Sequence, residues 1–211
     1  MTRTTVHRTD SGVSVSRTAP APNILQHIGR LLWLPMLAMA LMAFPVGLAL
    51  GLARAGLVAD GADGAMVAAL GHFGTAAMFI GFASVFAAIS FAIARILGVF
   101  RSGGGGIQEA AGAEVHSLRM PAAGRAFVGL MLMAMMALVA AVIGHVIVGS
   151  GLASGGTALA VGEQWALWLE GVRRVATATY LLAISLGLTT IATVLGFQIT
   201  RLGELPSETA R

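Results

Sequence analysis

The stretch LLWLPMLAMALMAFPVGLALGLA, residues 31–53, decides the class of fold. It contains no Asp, Glu, Lys or Arg and is bracketed by Arg30 and Arg54. It exceeds the roughly 20 residues that an α-helix needs to cross the hydrocarbon core of a bilayer. Pro35 and Pro45 are tolerable inside such a helix, because neighbouring helices can satisfy the carbonyls they free.

Three further charge-free runs follow: 65–94 between Asp63 and Arg95, 126–149 after Arg125, and 175–200 between Arg174 and Arg201. The composition agrees, with 57% apolar and 10% charged residues and a mean hydropathy of +0.86, values of a membrane protein rather than a soluble globule. A chain of 211 residues has room for four spans and short connections, not for a second soluble domain. The expectation is an all-α integral membrane protein, an antiparallel four-helix transmembrane bundle. Its helices are placed at about 30–54, 65–98, 124–149 and 173–201, within a membrane domain 23–202 followed by a short cytoplasmic tail, 203–211.

Residues 1–22 are polar and rich in Ser and Thr, too poor in apolar surface to fold alone, and are expected to be a disordered cytoplasmic tail. The apolar run after them is too long for the core of a signal peptide, which favours a retained helix. All 13 basic residues are arginine, a usage that points to a GC-rich bacterial genome. Ten of them fall in the N-terminal tail, the 95–125 connection and the C-terminal tail, against Arg54, Arg173 and Arg174 on the other side. The positive-inside rule then places both termini in the cytoplasm of a bacterial inner membrane. With no aromatic interleaving, the arginines read as topology signals and not as a nucleic-acid surface. There is no cysteine, which excludes disulfides and thiolate metal sites held by this chain alone.

The connection after the second run opens with SGGGG (102–106), read as a flexible hinge, and continues IQEAAGAEVHSLRMP. There Ile107, Ala111, Val115 and Leu118 recur at helical spacing, the pattern of a short amphipathic helix on the inner surface. No Gly-Lys-Ser/Thr follows the glycines, so they form no phosphate loop. In EQWALWLEGVRR (163–174) the tryptophans beside charges read as interface anchors. GRLLWLPML (29–37) parallels GRAFVGLML (124–132), and IARILG (93–98) parallels IATVLG (191–196). The nearly constant offset is what a duplicated helical hairpin gives, although such matches also arise by chance among Leu, Ala, Met and Gly.

His72 and His145 are the ionisable residues inside the runs. Counting 1.5 Å per residue from the run ends sets both about 10 Å outward of mid-membrane, with Tyr180 at a similar level and Arg173 and Arg174 above it at the water boundary. An intramembrane ionisable group is a functional-site hypothesis by default. One reading has neutral histidines hydrogen-bonding between helices and fixing the packing. A second has His72 and His145 as axial ligands of a b-type haem, with Tyr180, Arg173 and Arg174 around it and the arginines meeting the propionates. A third has them contacting a quinone or handling protons.

The methionines of the first and third runs suit Cu(I) but serve equally as apolar filler. Gly47 and Gly51, the small stripe Ala77, Gly81, Ser84 and Ala88, and the face Ser185, Thr189 and Thr193 invite close helix approach. No HExxH, GxSxG, CxxC or P-loop is present, and no run carries a carboxylate for a relay, which weakens a transporter. The resulting expectation is a non-catalytic subunit or accessory protein of a larger membrane assembly. Its partners are the lipid bilayer and other membrane subunits or further copies of itself. The alternatives are a haem or quinone electron-transfer subunit and a small transporter.

Overall fold

A computed structural model describes residues 7–8, 13–18 and 24–209 of the chain. Four helices carry most of it: α1 (Ile24–Ala59), α2 (Gly64–Ala110), α3 (Ala122–Ala153) and α4 (Leu159–Thr209). All four are long and apolar enough to cross a membrane. Each charge-free run lies inside one helix, and each helix continues past the run it contains. The turns between α1 and α2 and between α3 and α4 are short and pivot on Gly61 and Gly155, whose φ values of 67° and 74° suit glycine.

Among the described residues, three short strands complete the secondary structure: β1 (His7–Arg8), β2 (Val13–Ser16) and β3 (Val115–Leu118), paired antiparallel in that order. They correct two expectations. The tail is not wholly without structure, because VSVS alternates at the period of a strand and pairs Val13 with Leu118 and Ser16 with Val115. The rest of the tail's expected disorder falls on residues outside those described. The 107–118 segment is not one amphipathic helix either. Val115 and Ser117 are buried, as one face of a strand, and the Gln108 side chain caps that strand by accepting from the His116 amide at 2.9 Å.

Nor do the glycines 103–106 form a hinge, since α2 runs straight through them. At Gly104 the Gln198 side chain approaches so closely that no Cβ would fit, and the same Gln198 amide donates to the Phe100 carbonyl. Tertiary packing outweighs the poor helix propensity of glycine here.

The chain divides into two compact units. One comprises the described residues up to Leu32, Ser90–Val128 and Ala183 onward; the other comprises Trp33–Ile89 and Gly129–Leu182. In the second unit α2 is the central element. Its small stripe is used as expected: Ala77, Gly81, Ser84 and Ala88 are all buried, and the Phe44 ring of α1 lies on Gly81. Leu50 of α1 stands opposite Gly74 and Arg54 opposite Gly71, so α1 and α2 run antiparallel. α3 and α4 pair in the same way, with Leu152 on Gly162, Leu169 on Gly144 and Met135 on Tyr180. By contrast, the hydroxyls of Thr189 and Thr193 bond back to carbonyls four residues earlier and leave that face of α4 exposed.

Candidate functional site

His72 and His145 meet. Their Nδ1 atoms lie 2.8 Å apart, and the His72 Nε2 lies 3.3 Å from the Gly162 carbonyl. Both rings are buried, and three helices converge on them: α2 supplies His72, α3 His145 and α4 Gly162. The glycine at 162 is fitted to this place, since Leu152 packs against it too closely for an added Cβ.

The hydrogen bonds assign the tautomers. A carbonyl oxygen only accepts, so His72 carries its proton on Nε2 and its Nδ1 is a bare acceptor. His145 must therefore donate from Nδ1, which leaves its Nε2 bare. That atom is buried and has no hydrogen-bond partner among the described residues. On the other side the Phe79 ring stands edge-on to His145, with centroids 5.1 Å apart.

This geometry does not fit an axial haem pair. Two imidazoles on one iron need coordinating nitrogens about 4 Å apart, across a flat cavity, and here the facing nitrogens bond directly. A quinone carbonyl fits no better. It needs an N–H donor, and both ring N–H groups are already engaged.

Of the other expected site residues, Tyr180 lies elsewhere, whereas Arg173 lies beyond the Phe79 ring from His145. Tyr180 is fully buried, stacked on Phe86 at 5.0 Å between centroids, and its hydroxyl donates to the Met135 Sδ at 3.3 Å. Phe86 is fourteen residues along α2 from His72, about 21 Å at 1.5 Å per residue. Tyr180 is thus not in the histidine layer. The Arg173 guanidinium lies 5.5 Å from the centroid of Phe79, seven residues along α2 from His72 and the same ring that stands edge-on to His145, so a single ring separates Arg173 from the histidine pair. The cause of both placements is α4. It begins at Leu159 rather than near 173, and its first turns pack alongside α3, so every later residue is displaced along the axis.

That displacement reveals residues the run-counting missed. Glu170 accepts from Arg173, whose Nε lies 2.7 Å from Oε2, and from Arg174, whose Nε lies 2.9 Å from Oε1. The spacing of three and four residues on a helix was the available signal. The cluster stands level with Phe79, the midpoint of a charge-free run, so a carboxylate does reach the depth of the apolar segments. Beside it, between α1, α2 and α4, is a cavity of about 400 Å³ lined by Arg54, Thr75, Glu170 and Arg173 over a floor of Gly71 and Gly74. No protein family, curated protein or solved structure matches the chain.

Proposed function

We propose that the chain is a multi-pass protein of a bacterial cytoplasmic membrane, with four helices in an antiparallel bundle and both termini cytoplasmic. Its role is that of a non-catalytic subunit or accessory protein in a larger membrane assembly. The observation that carries this reading is the use to which the polar groups are put. The His72–His145–Gly162 chain clamps three helices, and Glu170 holds two arginines of its own helix. Groups committed to one another in this way fix packing rather than attack a substrate. The arginine distribution supports the orientation. A duplicated hairpin is supported by similar contacts: Gly29 meets α2 near Ala94, and Gly124 meets α4 at Thr190, two residues short of the position that pairs with Ala94 in the repeat.

Membership of an assembly is supported by how little of α3 the chain covers: 22% of its most apolar window is buried, against 50% for α2. The protein, extracted from its native membrane in mild detergent, is weighed by light scattering. A protein mass well above the 21.5 kDa of one chain is expected. A lone monomer with no co-purifying subunit overturns the reading. A small transporter is the second reading, favoured by Glu170 and Arg173 lining a cavity at the depth of Phe79. Uptake or efflux abolished by Glu170→Gln in a correctly folded variant supports it.

A further inference from the structure

We infer that the cavity between α1, α2 and α4 binds the anionic headgroup of a phosphate-bearing membrane lipid, whose acyl chain lies along α1. This goes beyond the assembly reading and does not depend on it.

Charge is the first argument. Two arginines, Arg54 and Arg173, line the cavity with one carboxylate, Glu170, which is bonded to Arg173 and to Arg174 of its own helix. Arg54 forms no ion pair among the described residues, and Asp60 and Asp63 in the neighbouring turn do not reach it. Its guanidinium lies over Gly71, with Cζ 3.4 Å from where a Cβ would stand. A guanidinium beside a charge-free run is costly unless it meets an anion or water. The Thr75 hydroxyl, also in the lining, makes no hydrogen bond to the described residues and offers one to a phosphate oxygen. The cluster is therefore cationic in sum, and an arginine fork matches phosphate geometry.

The second argument is shape. The cavity shares Gly47, Gly51 and Met78 with a wholly apolar groove that adds Phe44, Pro45, Leu48 and Leu52 of α1. The groove runs from the level of Arg54 about ten residues along α1, about 15 Å. A free anion needs no such extension; an acyl chain does. Among the described residues, nothing beyond its own stretch of helix lies within 4 Å of a Cβ at Gly51, so the groove is open where the head and the chain would join.

The test uses the full chain, delipidated in detergent and titrated with phosphatidylglycerol or phosphatidylcholine, the adducts being counted by native mass spectrometry. One phosphatidylglycerol is expected to be retained, with selectivity over phosphatidylcholine of about fivefold, the effect of one arginine on an anionic headgroup. Arg54→Gln should reduce that selectivity to near unity. Gly51→Leu keeps every charge but fills the groove, and should lose the adduct of either lipid; its Cβ stands in open space among the described residues. Arg125→Gln, near the start of α3, should behave as the wild type. Circular dichroism and a monodisperse elution confirm the fold of each variant. Equal retention of the two lipids by the wild type, or an unchanged adduct in Arg54→Gln and Gly51→Leu, overturns the proposal. If inorganic phosphate displaces the adduct as readily as added lipid does, the site reads the anion alone and the lipid assignment falls.

Discussion

Replacing the two histidines singly and together gives the sharpest test of the clamp. In His145→Leu, the His72 Nε2–H still reaches the Gly162 carbonyl, but its bare Nδ1 loses the donor 2.8 Å away. In His72→Leu, the His145 Nδ1–H is left without an acceptor and Gly162 loses its side-chain donor. A buried group stripped of its partner costs about 1–3 kcal/mol, and interhelical hydrogen bonds within membranes fall at or below about 1.7 kcal/mol. Each single variant should therefore lose about 1–2 kcal/mol. The double variant leaves neither ring unpaired and should lose less than about 1 kcal/mol, since removing both partners of a buried bond is close to neutral.

The edge contact of Phe79 with His145 adds a loss of about 0.5–1.5 kcal/mol, but in His145→Leu and in the double variant alike, so it cancels in the cycle. Equilibrium unfolding in mixed micelles, followed by far-ultraviolet circular dichroism, measures all four states. The coupling should be about 1–3 kcal/mol in the direction that makes the double variant milder than the sum. Additivity within about 0.5 kcal/mol would falsify the direct bond, because groups that do not touch add within that range.

Three further outcomes follow from the packing. Tyr180→Phe removes only a bond to a thioether and should cost under about 1 kcal/mol, whereas Tyr180→Ala empties a fully buried site and should cost about 3–5 kcal/mol by the same unfolding assay. Gly81→Ala would place a Cβ 2.6 Å from the Phe44 ring and should lose about 1–3 kcal/mol, while Gly51→Ala, in open space, should gain about 0.5–1 kcal/mol. Because the chain has no cysteine, Ser154→Cys and Ser207→Cys each supply a unique exposed thiol. In intact cells an impermeant maleimide should label the first and not the second, and the reverse pattern would invert the proposed orientation.

How far the sequence could be read depended on where charge marks a helix end. For α1, α2 and α3 the charged brackets and the charge-free lengths located the helices, and the shared depth of His72 and His145 followed because both helices are measured from the same side. In α4 the bracket misled. Arg173 and Arg174 read as the water boundary, yet Glu170 neutralises part of their charge three and four residues away. Tyr180 was assigned to the wrong layer for that reason alone. The glycine run of α2 was misread because the residue that crowds Gly104, Gln198, lies nearly a hundred positions later. The strands VSVS and VHSL are four residues each, too short for a period of two to stand out from a polar background.

The displacement of α4 also changes the electrostatics of the spanning region. With Arg173 against Phe79, its cluster lies beside residues that on α2 carry no charge, and a lone arginine there would be expensive. Three compensations meet on it: the forked bond that Arg173 donates to Glu170, the Phe79 ring face and the open cavity. Removing Glu170 leaves the Arg173 guanidinium with the Phe79 ring face and the exposed Arg174 with solvent, and unpairing a buried ion costs about 3–5 kcal/mol when no solvent reaches it. Since the Glu170 side chain is one-third exposed, water or a headgroup in the cavity should take up part of that loss. Glu170→Gln therefore discriminates between a dry ion pair and a ligand-lined one. A loss that shrinks when phosphatidylglycerol replaces phosphatidylcholine in the assay identifies the cavity as the route by which the charge is stabilised. A loss independent of the lipid leaves the intrahelical pair as its sole support.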